Sequence, residues 1–467
     1  MKLPPLWPHQ QEAIQRAGNK FALFFDPGCG KTRTAIEIRK QKAPLKTKTI
    51  IFAPLNVCRN WEKELGQFFG AKHNVYLVAG QSKTAKIKTL KGFAEYAGET
   101  PTFLICNIES VRSAEYLSLL ILSGAEFLII DEAHNFKNSE SRQTKGLIHL
   151  VDTLKPKNLY LLTGTPAPQG EMDLYIPFTL LERNKKSFFQ WRREHFYDKN
   201  ERRRGMSNYW PEYVINDRSR VVFQRMLSEI SAVAKKSEVL DLPPFTYTTL
   251  YHDLSPDQRR HYSSMLDYLF AIDNEGNELN ASNFLARNLR LQQILSGHLG
   301  EVAIEDNSRL KVLGEAINKV GNNSFIIWTI FKSTYKEIAE MLDKRGISFG
   351  MLTGEQSAAE RFEAMNSFEA GDIRCLIAHP RAGGVGVNLV RANFSIVYLR
   401  SYSLTDYLQA QARNYRGGSE QHECITQIDI VAANTIDEEI VESLRRKESI
   451  QDFILRVKEK YSDGRIE

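Results

Sequence analysis

The chain has 467 residues, 42% of them hydrophobic and 25% charged, with a formal net charge of +6; that is room for about two or three domains with full cores, and the mild basic excess permits nucleic-acid binding without demonstrating it. The longest apolar runs, such as 127–130 and 325–328, are strand-sized, which excludes a transmembrane helix, and the polar stretch 1–11 is no signal peptide, so an intracellular protein is expected. The five cysteines, Cys29, Cys58, Cys106, Cys375 and Cys424, form no C-x-x-C pair, which argues against a zinc site or a disulfide framework.

In chain order, the first informative element is an apolar run, 21–25, that empties into Asp26-Pro27-Gly28-Cys29-Gly30-Lys31-Thr32 before a helical pattern begins. Strand, glycine-rich turn and helix together make a phosphate cradle in which Pro27, Gly28, Cys29, Gly30, Lys31 and Thr32 would bind a nucleotide. The glycines let backbone N–H groups face the phosphates, the helix presents its positive end, Lys31 reaches the outer phosphates, and the Thr32 hydroxyl can ligate Mg²⁺. The pattern is incomplete, because Phe25 stands where G-x-x-x-x-G-K-[ST] has its first glycine. Further strands are expected near 49–53, 102–106, 127–130 and 158–162. The third of these ends in Asp131-Glu132-Ala133-His134. A carboxylate at the carboxyl end of a parallel strand sits at the ligand crevice of an open α/β sheet, so Asp131 can hold Mg²⁺ through water. Glu132 can orient or deprotonate the attacking water.

From about 170 to 235 the pattern turns helical and charged. Within it, Arg183, Lys185, Lys186, Arg192, Arg193, Lys199, Arg202, Arg203 and Arg204 are interleaved with Phe188, Phe189, Trp191, Phe196 and Tyr197. Such a cluster can grip a phosphate backbone, with Arg202, Arg203 and Arg204 as the candidate contacts, yet a helical insertion with a solvated face would read the same. The Leu242-Pro243-Pro244 break divides the chain into 1–240 and 241–467. The second part has strands expected near 324–329, 348–352, 375–378, 395–399 and 427–431, a helical segment over about 255–300, and a helix over about 435–460 that opens with the capping box Thr435-Ile-Asp-Glu438. Two successive blocks of alternating strands and helices predict the α/β class, with parallel sheets covered by helices. Arg413 and Arg416, three apart, are expected on one helical face, where guanidinium groups can reach a nucleotide across an interface and stabilise charge on a transferring phosphoryl group.

Along nearly its whole length, and in the family's motif order, the chain resembles the Swi/Snf-type ATPases of helicase superfamily two. Leu6-Trp-Pro-His-Gln10 looks like the Q motif and 28–32 like motif I. Ala53-Pro54-Leu55 with Asn60-Trp61 is similar to motif Ia, Asp131-Glu-Ala-His134 with Lys137-Asn138 to motif II, and Leu162-Thr-Gly-Thr-Pro166 to motif III. Gly383-Gly-Val-Gly386-Val-Asn388-Leu389 looks like motif V, and Arg413 with Arg416 like motif VI. Departures stand at Phe25-Asp26-Pro27, at Ala167-Pro168-Gln169-Gly170 after motif III and at Gly417-Gly418-Ser419 after motif VI.

The resemblance implies two tandem RecA-like domains that clamp ATP and Mg²⁺ between them and track along double-stranded or branched DNA as hydrolysis opens and closes the cleft. It implies that Gln10 reads adenine, that Gly386 lies against the nucleotide, that Pro54 and Asn388 contact nucleic acid, and that Arg413 and Arg416 act as arginine fingers. It further implies a compact bacterial or phage-encoded motor, monomeric and cytoplasmic, recruited by replication or repair proteins. The rivals are a strand-separating or branch-migrating helicase and a non-hydrolysing nucleotide-gated scaffold.

Overall fold

Apolar runs with no polar alternation suit strands covered on both faces, as in a parallel sheet between helices. A computed structural model describes residues 5–55, 57–168, 170–204, 211–274, 281–300, 302–381 and 389–446, and the chain divides into two compact units, Met1–Leu240 and Asp241–Glu467.

In the first unit the strands are β1 (Lys20–Phe25), β2 (Lys48–Ala53), β3 (Asn74–Leu77), β4 (Thr102–Asn107), β5 (Phe127–Asp131) and β6 (Asn158–Leu162). A short antiparallel hairpin of β7 (Phe196–Asp198) and β8 (Tyr213–Ile215) precedes β9 (Ser231–Ala234). The main sheet has the order β3-β4-β2-β5-β6-β1-β9, and every pairing in it is parallel. The expected strands are all present. Those not expected, β3 and β9, are its two edges, where four half-exposed or small residues carry little apolar signal. The segment after 174 is thus only partly helical: it also supplies the hairpin and β9.

The covering helices include α1 (Pro8–Arg16), α2 (Lys31–Lys42), α3 (Cys58–Phe68), α4 (Lys83–Glu95), α5 (Ala114–Leu122) and α6 (Arg142–Leu154). Ser82, Ser113 and Ser141 cap α4, α5 and α6, each hydroxyl accepting an N–H that the first turn would otherwise leave unpaired. Arg39 fixes the far end of α2 to the strand beside it. Its buried guanidinium donates to Thr49 Oγ1 at 2.7 Å and to the carbonyls of Ala43, Leu45 and Thr47. Burial holds its pKa down to about 10.

The second unit has β10 (Phe245–His252), a two-residue antiparallel pair β11 (His298–Leu299) and β12 (Val302–Ala303), then β13 (Phe325–Trp328), β14 (Phe349–Leu352), β15 (Cys375–Ala378), β16 (Phe394–Val397) and β17 (Ile425–Ala432). Its parallel sheet runs β10-β17-β16-β13-β15-β14. The α/β class with helix-covered parallel sheets holds for both units. Here too the unexpected strand, β10, is an edge; it follows Pro243-Pro244 and is rich in threonine and exposed tyrosine. Helices Pro256–Asn274 and Ala281–Leu295 fill the expected helical segment, and Ile436–Arg446 forms the described part of the last helix.

A buried ion pair ties that last helix to the core. Arg309 is fully buried, pairs with Asp437, and donates to the carbonyls of Leu295, Tyr398 and Ile430. Removing one partner leaves a buried charge uncompensated. Asp437→Ala should therefore destabilise the second unit by about 3–5 kcal/mol in urea unfolding.

Candidate nucleotide site and an adjoining groove

The turn after β1 is shaped by two glycines in the left-handed region, Gly28 at φ 94° and Gly30 at φ 78°. An added Cβ at Gly30 would lie 2.2 Å from Gln10 Nε2, so the α1 side chain packs directly on the loop. Gln10 is buried, its Nε2 donating to Gly30 O at 3.2 Å and its Oε1 accepting Trp7 N–H at 2.9 Å. His9 Nε2 lies 2.9 Å from Cys29 O. Two successive loop carbonyls are thereby held by α1. Lys31 opens α2 and its Nζ donates to Phe25 O at 2.8 Å, which folds the ammonium back over the loop. Asp26 fixes the loop's other flank: its N–H donates to Ala234 O and its Oδ2 accepts Lys236 N–H, both at 2.9 Å.

Asp131 ends β5, and Glu132 immediately turns the chain with φ 49° and ψ 51°, a conformation that non-glycine residues rarely adopt. Asn135 supports the turn by donating both its backbone N–H and its Nδ2 to Glu132 O. The turn leaves two adjacent carboxylates buried, at 4% and 3% exposure. Burial first, and then the charge of Glu132, push the Asp131 pKa up to about 7, against the Trp61 hydrogen bond and the nearby Lys31. Asp131 Oδ2 accepts the Trp61 indole N–H at 2.9 Å, and Oδ1 accepts Glu132 N–H at 2.9 Å. His134 Nδ1 lies 3.2 Å from Glu132 Oε2 and 2.9 Å from Thr163 Oγ1. Thr163 ends the neighbouring segment beyond β6, and the next residue, Gly164, abuts the phosphate loop. A Cβ there would lie 2.8 Å from Pro27 Cδ and 3.2 Å from Phe25 O.

Beside the carboxylates lies a groove of about 640 Å³, walled by Pro54 and Leu55 after β2, by Glu109 and Arg112, and by His134, Lys137, Asn138 and Arg142. Arg112 is braced by Gln143 Oε1, which accepts its Nη2 at 2.7 Å. Burial lowers the Lys137 pKa. Cations outnumber the one acidic residue of the wall, which suits a polyanion.

Residues 14–299 match the SNF2-related domain, and residues 308–418 match the helicase conserved C-terminal domain. This chain belongs to the SNF2-related family. It carries that family's helicase-like ATPase modules. Among curated relatives, Protein CHROMATIN REMODELING 5 of Arabidopsis thaliana is 24% identical over 90% of this chain and 24% of that protein. An ATP-dependent helicase of Mycoplasma pneumoniae is 24% identical over 96% of the chain and 42% of that protein. A RAD54-like DNA repair and recombination protein of Drosophila ananassae is 22% identical over 96% and 62%. The chain thus spans less than two thirds of each of these relatives. The Sulfolobus solfataricus SWI2/SNF2 ATPase core in complex with dsDNA aligns at 22% identity over 95% of this chain and 91% of that one, with a TM-score of 0.42, too low to add to the family match.

The remaining SNF2 motif residues are placed less completely. Gly386 and Asn388 lie outside the described residues. Arg413 and Arg416 do not share a helical face: the helix Leu404–Asn414 ends between them, because Tyr415 leaves helical geometry at φ −100° and ψ 84° ahead of Gly417-Gly418. Arg413 is buried and its carbonyl accepts Leu389 N–H at 2.9 Å, while Arg416 is half-buried. In the basic cluster, Trp191 and Phe196 are core residues packed on Phe223, so they are not free to stack on bases. Lys186 pairs with Glu194, and Lys199 with Glu212. Arg202 and Arg204 are exposed beside the hairpin; of Arg203 only the backbone is described. Trp61, read from the sequence only as a motif mark, emerges as a direct partner of Asp131. A tryptophan inside an otherwise polar helix start was the available signal.

Gly164→Ala should push Pro27 and the loop apart and lower kcat/KM for ATP by about tenfold or more. Gly66→Ala in α3, where an added Cβ meets nothing within 4 Å, should leave it at the wild-type value. Steady-state ATP turnover measures both.

Proposed function

We propose that this SNF2-family chain is a DNA-stimulated ATPase that tracks along double-stranded DNA. The observation that carries it is convergence: three segments remote in sequence, the loop 26–32, Asp131-Glu132-Ala133-His134 and Thr163-Gly164, follow the adjacent strands β1, β5 and β6, with Thr163 meeting His134 and Gly164 abutting Pro27. A buried carboxylate whose proton affinity is raised by burial and by a second carboxylate is a donor that a hard divalent cation satisfies, so the residues fit Mg²⁺. Thr32 and Asp131 would hold it, and it would supply charge neutralisation at the phosphoryl oxygens.

The chain's own groups do the rest. Amides of 28–32 and Lys31 bind the phosphates, Glu132 accepts the proton of the attacking water, and His134 orients Glu132. Gln10 is proposed to read the base, and Gly386 to line the nucleotide. Arg413 and Arg416 are proposed to stabilise the transferring phosphoryl group. DNA is proposed to lie along the groove by Pro54, Arg112, Lys137 and Arg142, with Asn388 and Arg202, Arg203 and Arg204 as further contacts. Contacts of that kind go to phosphates, so recognition would be independent of sequence. The Mycoplasma relative supports a bacterial setting, where the chain is proposed to act as a cytoplasmic monomer recruited by other replication or repair proteins.

ATP turnover measured without DNA, with single strands and with duplex tests the proposal. Duplex should stimulate most, EDTA and Lys31→Ala should abolish turnover, and Glu132→Gln should keep nucleotide binding while losing about 10² or more in rate. Arg413→Ala and Arg416→Ala should each reduce stimulated turnover by about 10³. Stimulation by single strands alone, with unwinding of a blunt duplex, would favour the strand-separating alternative.

A further inference from the structure

An indole N–H only donates, so a buried tryptophan must find an acceptor. Trp61 is wholly buried in the first unit, and the acceptor it meets is Oδ2 of Asp131 at 2.9 Å, seventy positions away in the chain. What precedes Trp61 gives that bond a wider reach. Val57 N–H donates to Pro54 O at 2.8 Å, and Trp61 N–H donates to Val57 O at 3.0 Å. Cys58 Sγ, in the first turn of α3, also approaches Pro54 O and Ala53 O at 3.5 and 3.7 Å. Pro54, Val57 and Trp61 are therefore linked in series by backbone hydrogen bonds. The outer end of that series, Pro54 and the 54%-exposed Leu55, walls the groove, and its inner end holds a carboxylate oxygen.

From this geometry we infer that Trp61 is a positioning residue that couples phosphate-backbone occupancy of the groove to the placement of Asp131. A strand seated against Pro54 and Leu55 moves the start of α3, and the indole carries the displacement to the oxygen it holds. The route is separate from His134, which faces the groove and touches Glu132 rather than Asp131. The inference rests on the proposal that Asp131 serves Mg²⁺-nucleotide and that the groove takes DNA.

Coupling between two sites is reciprocal at equilibrium, which supplies a readout that a purely structural role would not move. The experiment measures the affinity of the protein for adenylyl-imidodiphosphate with Mg²⁺, with and without saturating duplex DNA, and the affinity for the same duplex with and without the nucleotide. In the unaltered protein each ligand should tighten the other by the same factor, about fivefold or more. Trp61→Phe removes the N–H, and both factors should fall together toward one while DNA affinity in the absence of nucleotide is kept. Should Trp61→Phe fold poorly, benzothienylalanine at position 61, which keeps the bicyclic shape and lacks the N–H, makes the same test.

Wild-type coupling that persists undiminished in either variant overturns the inference and leaves the ATPase proposal standing. An unaltered protein that binds no Mg²⁺-nucleotide overturns the underlying proposal and the inference with it, whereas one that binds both ligands without reciprocal tightening overturns the inference alone. Both factors falling together toward one in the variant, with DNA affinity in the absence of nucleotide and the melting temperature unchanged, support it.

Discussion

Two carboxylates buried side by side at one strand end repel each other and lose their hydration, and the rest of the site is arranged around that constraint. Burial and Glu132 together raise the Asp131 pKa to about 7, so neighbouring groups must supply what water no longer does. They come from separate parts of the unit: the indole of α3, the backbone N–H of Glu132, the ammonium of Lys31 at the start of α2 and the imidazole beyond β5. Strand order makes this possible. With β6 lying between β5 and β1, the segment carrying Thr163 and Gly164 touches His134 on one side and Pro27 on the other.

The same contact accounts for the departure at Phe25-Asp26-Pro27. Proline has no N–H to offer a phosphate, but its ring gives the loop a rigid face. Gly164, lacking a Cβ, is what lets that face and Phe25 O lie close to the segment that follows β6. Asp26 then closes the other flank by binding the chain after β9. The loop therefore owes its shape to an edge strand and to a turn over a hundred residues away as much as to its own glycines.

How much of this was legible in the sequence follows from how far apart the interacting groups lie. The loop 26–32 and Asp131-Glu132 are local patterns that follow strands, and the apolar runs of the sheet interiors announce themselves, so the α/β class and the candidate nucleotide residues could be read directly. Three of the four edges, β3, β9 and β10, could not, being half-exposed or rich in small and polar residues, whereas the fourth, β14, keeps enough apolar residues in Phe349–Leu352 to be read. Spacing alone also misplaced Arg413 and Arg416 on one helical face, because a helix ends where Tyr415 and two glycines end it and not where the period of the pattern does. Nor does an interleaved aromatic reveal whether it faces solvent: Trp191 and Phe196 belong to the core, while Phe189 and Tyr197 are exposed. The Trp61–Asp131 bond joins residues seventy apart, and only the register of β2, β4 and β5 brings them together.

Why the groove and the carboxylates should be neighbours at all has a physical answer. Hydrolysis at a site whose charges are already in tension responds steeply to small displacements, since an electrostatic interaction in a water-poor environment changes more per ångström than the same interaction in water. A groove wall that includes Pro54 and Leu55, just ahead of α3, and His134 places a polyanion's proposed contacts near elements that hydrogen-bond each carboxylate, Asp131 through Trp61 and Glu132 through the imidazole. Lys137, whose charge is disfavoured by its own burial, would be stabilised in its charged form by a phosphate placed beside it, so the proposed seating of a strand would favour the groove side. On the proposed reading as a DNA-tracking ATPase, the strand in the groove must alter the barrier to hydrolysis without touching the nucleotide, and in this unit the segment ahead of α3 and the imidazole of His134 are the parts proposed to transmit it.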